Sequence, residues 1–162
     1  MTIEHLSEYG LREMGDEEIE RFLRNQSQGV LGLSTEDAPY LVPMSYGYDG
    51  GSHLYFFYVV GEESRKAALS ARSQPASFLV YNAEMFHWRS VSVTGTIEIL
   101  SEEERSELTD AQMPIWRPGV IETANEREGN EFYRFRIEES TGIKHDMQSP
   151  SYPFHQQSSS DQ

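Results

Sequence analysis

Apolar and polar residues alternate along most of this chain, in short runs parted by turn-forming residues, and switch to helical spacing at only a few places. A period of two marks strands with one buried face, and a period near 3.6 marks helices. Asp16 to Asn25 is of the second kind. Ile19, Phe22 and Leu23 share one face, Glu17 and Glu18 suit the first turn, and Asp16 stands where a cap is expected. Val30 to Ser34, Pro39 to Tyr48 and His53 to Val60 read as strands, separated by the turns Thr35-Glu36-Asp37-Ala38 and Asp49-Gly50-Gly51. Ser64 to Arg72 reads as a short helix and Ala76 to Tyr81 as a fourth strand. His87 to Leu100 is a long fifth, with Val91, Val93 and Ile97 facing one way and Ser90, Ser92, Thr94 and Thr96 the other. Gly95 marks a bend or bulge in it. Ser101 and Glu104 form a capping box for a helix running to about Ala111. Residues 113–129, with Pro114, Trp116 and Pro118 among charges, predict no element; Trp116 beside Arg117 reads as a lid or as a hydrophobic anchor. Glu131 to Glu138 is the last strand. Hairpin-linked strands at close spacing, with helices at the margins, predict a mainly β chain folded as a small antiparallel barrel, which leaves no exposed sheet edge.

Length and composition narrow this picture. The 162 residues suit one domain, residues 1–146, opened by a short arm over residues 1–12. From Met147 onward Ser, Gln and Pro dominate, so 147–162 reads as a polar tail with too little to bury. No apolar run has spanning length and no basic, apolar leader opens the chain, which points to a soluble, cytoplasmic protein. The absence of cysteine excludes disulfides, thiolate nucleophiles and cysteine-held metals. His5, His53, His87, His145 and His155 show no metal-ligand spacing, so no metal is expected.

The net charge of −14 argues against nucleic acid and anionic membranes as partners. Lys66 and Lys144 are the only lysines; every other base is arginine, and glutamate far outnumbers aspartate. That balance suits a protein of concentrated salt, as in a halophile, where the Debye length shrinks to roughly 3 Å and crowded carboxylates repel little. A lysine retained in such a chain is expected to have a task.

Lys66 lies in Ser64-Arg65-Lys66, after the aromatic run Leu54 to Val60 and at the start of a helix. A hydroxyl, two cations and the unpaired N–H groups of a helix start suit a phosphate group. The bland alternative is a Ser cap followed by two solvated charges.

Three segments taken in order give this a wider context: Tyr40-Leu41-Val42-Pro43-Met44-Ser45-Tyr46-Gly47-Tyr48-Asp49-Gly50, then Tyr55-Phe56 through Ser64-Arg65-Lys66-Ala67, then Arg89-Ser90-Val91-Ser92-Val93-Thr94-Gly95. In order and spacing they resemble the pyridoxamine 5′-phosphate oxidase-like family of FMN-binding split barrels, and within it the small nitroimidazole-resistance-type branch. The resemblance implies a split β-barrel, antiparallel and Greek-key-like, that works as a homodimer with FMN at the subunit interface. It places Val42, Pro43, Met44 and Ser45 along the flavin ring, Val59 beside the ribityl chain, and Ser64, Arg65 and Lys66 on the phosphate. Ser90 falls at a ring- or ribityl-contacting position supplied by the second subunit, with Trp88 and Arg89 lining the same cleft. The oxidases proper carry an arginine where Leu41 stands, and an arginine-bearing final strand with no equivalent between Phe132 and Lys144. The resemblance therefore implies an FMN-dependent oxidoreductase acting on a small molecule other than pyridoxamine phosphate. It names no catalytic acid or base. Deazaflavin or haem on the same barrel, a non-enzymatic flavin sensor, and a plain structural domain remain as alternatives. The aromatics Tyr46, Tyr48, Tyr55, Phe56, Phe57 and Tyr58 read as core and interface residues ahead of flavin stackers.

Overall fold

A computed structural model describes residues 7–59, 64–72, 75–114 and 130–146. The elements run β1 (Leu11–Glu13), α1 (Asp16–Asn25), β2 (Gln28–Leu33), β3 (Tyr40–Ser45), β4 (Gly47–Tyr48), β5 (His53–Val59), α2 (Arg65–Ser70), β6 (Pro75–Glu84), β7 (His87–Ile99), α3 (Glu102–Ser106), a 3-10 turn (Asp110–Gln112) and β8 (Asn130–Asp146). Among the described residues no helix is long and apolar enough to cross a membrane.

α1 has the predicted bounds and buries Ile19, Phe22 and Leu23, worth about 1.5–3 kcal/mol each. Its cap differs from expectation. Gly15 is the N-cap and makes no side-chain cap bond, so Asp16 joins Glu17 and Glu18 in the first turn and acts on the helix dipole instead. α3 does form the Ser101–Glu104 capping box. It stops at Ser106 and not near Ala111, because Thr109 and Gln112 cap each other and open a separate turn.

All the strands pair antiparallel in one sheet of order β3-β2-β6-β7-β8-β5-β4, with β1 on the far part of β8. β3 and β4 lie at opposite ends of that order, yet only Tyr46 separates them in the chain. Ser45 pairs with Gln28 of β2, while Gly47 pairs with Tyr55 of β5. Adjacent Cα atoms are about 3.8 Å apart, so the two ends of the sheet must come together there. The sheet thus curls into a barrel that parts along β3 and β5, the split barrel expected from the sequence. The Tyr46 ring is buried at this junction, and its hydroxyl donates to the Leu23 carbonyl at 2.6 Å. That carbonyl is one of those a helix leaves unpaired at its C-terminal end.

Inside the barrel lie Leu31, Phe56, Tyr58, Phe78, Val80, Val91, Val93 and Phe135, all fully buried. The run from Leu54 to Tyr58 does not alternate, for a structural reason. Leu54, Phe56 and Tyr58 point into the barrel, whereas Tyr55 and Phe57 form a second apolar cluster with Leu100 and Phe132. Leu108 and Met113 pack against that cluster from outside, so both faces of β5 are covered. β7 has its register shift between Thr94 and Gly95, where a Cβ on Gly95 would overlap the Arg136 carbonyl; close approach of two backbones is what glycine permits there. β8 continues eight residues past the predicted Glu138. Its second half, Glu139 to Asp146, pairs with β7 and hides a strand behind the Ser140-Thr141-Gly142 sequence. β6 likewise extends past Tyr81 to Glu84. The predicted tail, residues 1–6, and Trp116 with Arg117 lie outside the described residues.

Burial holds the hydroxyls of Tyr46, Tyr58 and Tyr133 above the ordinary tyrosine value of about 10. As pH rises, the unfolded chain releases these protons first while the folded chain keeps them. Stability from this source is complete below about pH 10 and drains away above it. Urea midpoints should be level between about pH 7 and pH 9 and fall steeply toward pH 11; a midpoint still level at that upper limit would contradict the assignment.

Candidate functional site

Where the barrel parts, β2, β3, β5, β6 and α2 border a cleft of about 570 Å³. Such a volume falls in the range of small-molecule and cofactor sites. Pro43, Met44 and Ser45 form one wall. Among the described residues β3 ends the sheet order with β2 as its one neighbour, so its other side presents backbone groups that no described strand pairs. Pro43, opposite Val30, is tolerated there because an edge strand has no second ladder to complete. The same wall continues into its paired neighbour β2, from Gln28 to Val30. Gly29 is obligatory: a Cβ would come within 2.5 Å of the Leu79 carbonyl oxygen and 2.6 Å of the Phe78 ring. Phe57 and Tyr81 supply aromatic surface.

Lys66 closes one end. α2 presents it from a backbone locked onto β5: the Tyr58 hydroxyl donates to Ser70 Oγ (2.9 Å), which donates to the Lys66 carbonyl (2.8 Å). The Lys66 ammonium lies 4.5 Å from the centre of the Tyr58 ring and 3.7 Å from Met44 Sδ. No carboxylate among the described residues pairs with it. Burial alone lowers its pKa from the usual lysine value. A half-buried cation without a counter-charge among the described residues, in a chain with twice as many acids as bases, suits an anion.

The neighbouring residues divide. Ser64 Oγ accepts from the Ala67 N–H at 3.3 Å, which makes it the cap of α2. Arg65 is exposed, with its guanidinium 5.0 Å from the centre of the Tyr40 ring and off the cleft wall. Val42 packs against the core, and Val59 ends β5 opposite Asn130. The cleft therefore gathers Pro43, Met44, Ser45 and Lys66. Ser90 lies in β7 between Tyr81 and Ile143. Trp88 lines a different cleft, of about 560 Å³, between α1 and the far end of the β6–β7 hairpin.

Gln28, Gly29, Val30, Phe57 and Tyr81 border the cleft without having been singled out in the sequence. Tyr81 carried a signal: it is an outward aromatic on a strand whose alternate residues, Phe78 and Val80, fill the core. Leu41 (66% exposed), Leu79 (39%) and Tyr81 (59%) lie on the outer side of β3 and β6, with Pro43, Val30 and Leu79 in one cross-strand row and Leu41 two residues from Pro43. This is a contiguous apolar face.

A family model described as pyridoxamine 5′-phosphate oxidase matches residues 15–144. No curated protein matches the chain. Among solved structures, a FAD-binding protein from Mesorhizobium loti superposes with a TM-score of 0.69 at 25% identity, over 85% of this chain and 98% of that one. A putative 5-nitroimidazole antibiotic resistance protein from Bacteroides thetaiotaomicron gives 0.59 at 17%, over 83% and 89%. A FAD and heme binding protein from Mycobacterium smegmatis gives 0.64 at 17%, over 88% and 76%.

Proposed function

The chain belongs to the pyridoxamine 5′-phosphate oxidase family, and from that premise we propose that it binds a flavin, FMN ahead of FAD, in the β2–β3–α2 cleft and acts as a flavin-dependent oxidoreductase on a small molecule. The observation that carries this is Lys66, whose half-buried ammonium has no carboxylate partner among the described residues. A terminal phosphate would supply the missing counter-charge, through charge-assisted hydrogen bonds of about 1.5–3 kcal/mol each. The rest of the cleft suits a flat heterocycle. The open side of β3 offers N–H and C=O groups to a polar ring edge, while Pro43, Val30, Phe57 and Tyr81 cover apolar ring surface. Arg65 is the second cation, one residue away, and among the described residues it is held by a ring contact that a phosphate would displace. FMN ends in the phosphate monoester that such a cation pair fits.

When bound, a flavin accepts or gives a hydride at its central ring; the protein binds, orients and shields it. Pro43 and Gly29 shape the β2–β3 wall, Lys66 would hold the anionic end of the cofactor, and no side-chain acid or base is required. The outer face of Leu41, Leu79 and Tyr81 adjoins this cleft, and a second copy of the chain is its proposed cover, which makes the working unit a homodimer. A relative that carries haem as well as FAD in its name keeps haem as the comparison to exclude.

One reconstitution tests both parts. Ligand-free protein titrated with FMN and with FAD should take up one flavin per chain, tighter for FMN, with the two broad visible bands of a bound flavin. Light scattering of the same sample should give twice the 18.6 kDa chain mass. Protein that ignores both flavins, or that shows a sharp Soret band after haem addition alone, overturns the flavin reading; a monomeric holoprotein overturns the dimer.

A further inference from the structure

The second cleft, between α1 and the far end of the β6–β7 hairpin, is not needed to hold a flavin, yet it is comparable in size to the first. Arg21 enters it from α1 and Arg89 from β7. Both face Glu18 closely enough to lower its pKa, but Glu18 is already committed to Lys144 at 2.6 Å. The next acid, Asp146, is 3.3 Å from His87 Nδ1. Among the described residues, neither arginine has a carboxylate within ion-pair distance. Two guanidiniums therefore line a cavity in which Glu18 and Asp146 already have partners and Glu84, in register with His87, is the remaining carboxylate of the lining.

Trp88 completes the wall as a fixed ring. It stacks on its cross-strand partner His145, 5.7 Å between centres and 9° from parallel, and His145 Nε2 donates to the Tyr9 carbonyl at 2.9 Å. A ring braced in this way loses little freedom on binding. Asn82, directly opposite Arg89 across the hairpin, and Gln26 add amides at the inner end. Those two residues also locate the cleft relative to the first. Gln26 is two positions from Gln28, and Asn82 follows Tyr81, so the two cavities are neighbours across one turn of chain.

We infer that this second cleft is a binding site for a small planar anion, an aromatic carboxylate in chemical class, with its acid group bridged by Arg21 and Arg89 and its ring against Trp88. Guanidinium pairs favour carboxylates through bidentate geometry, and an indole wall favours a flat partner. Resting on the flavin reading, the site would deliver its ligand next to the flavin cleft, on the side bordered by Gln28 and Tyr81, and so select the second substrate. Binding itself does not depend on that reading and is measurable on flavin-free protein.

The probe is benzoate, with neutral benzamide of the same shape as control, followed by calorimetry and by tryptophan fluorescence. One benzoate per chain is expected, with benzamide at least about tenfold weaker, the loss of one charge-assisted contact or more. Arg21→Gln should weaken benzoate by at least about tenfold while FMN affinity and the melting temperature stay as in the parent, since this side chain is exposed and outside the flavin cleft. Trp88→Phe should abolish the fluorescence response. Equal affinity for benzoate and benzamide, unchanged benzoate affinity in Arg21→Gln, or no benzoate binding overturns the site. Loss of FMN binding in Arg21→Gln would also overturn it, because the two clefts would then be one. A parent that binds benzoate but ignores FMN leaves this site standing and removes only the flavin reading.

Discussion

Lys66→Ala is expected to raise the flavin dissociation constant about ten- to a hundredfold, the equivalent of one charge-assisted hydrogen bond of about 1.5–3 kcal/mol. With Arg65→Ala added, the loss should reach two orders of magnitude or more, about 3 kcal/mol. Arg65→Ala alone should do less, since Arg65 must first leave Tyr40. The ligand-free protein provides the internal control. Burial opposes the charge of Lys66, and among the described residues the Tyr58 ring and the Met44 sulfur partly offset that cost. Removing the ammonium should therefore leave the ligand-free melting temperature level or raise it. If Lys66 were instead a structural cation seated on Tyr58, the melting temperature would fall and the flavin constant would not move. A flavin titration and a thermal scan on the same two samples separate the cases, and an undiminished yellow holoprotein from the double variant would defeat the assignment.

Phe78→Ala should cost about 3–5 kcal/mol of folding stability, at the upper end for a single truncation. Phe78 is fully buried in β6, 5.0 Å from the Phe56 ring and 5.4 Å edge-on from Tyr46, the residue at which the sheet closes. Removing its ring empties the barrel next to that junction. It also empties the space over Gly29 that the same ring fills, where a Cβ would meet it at 2.6 Å, so the wall of the flavin cleft loosens with it. Against a usual total of about 5–15 kcal/mol, the variant should unfold at a much lower urea concentration. Phe78→Leu, which refills part of the space, should recover more than half of the loss. A urea midpoint for the alanine variant within error of the parent would mean that the barrel is not packed around this ring.

Some of the architecture was legible in the chain because local rules and tertiary packing agree. α1 keeps its predicted bounds, Ser101 and Glu104 form their capping box, and the inward residues of β7 are Val91, Val93 and Ile97, as their alternation required. The second half of β8 was hidden because Ser140, Thr141 and Gly142 carry no apolar alternation; the strand exists there through pairing with β7, and Gly142 is small because Met14 and Ile19 press on it. Lys66 could be singled out because it is one of two lysines in a strongly acidic chain.

Which elements form and which face of each is apolar follow from spacing along the backbone, a property any reader of the residues can measure. Where Trp88 belongs does not. It lies two residues from Ser90, and within its own protomer the hairpin carries it into a cleft with α1, a pairing that spacing along the chain does not announce. The closure of the barrel at Tyr46 is of the same kind: Pro39 to Tyr48 reads as one extended run, but it changes partners from β2 to β5 across a single residue. Pairing partners distant in the chain are chosen by the summed packing of the whole sheet, and no local pattern encodes that sum.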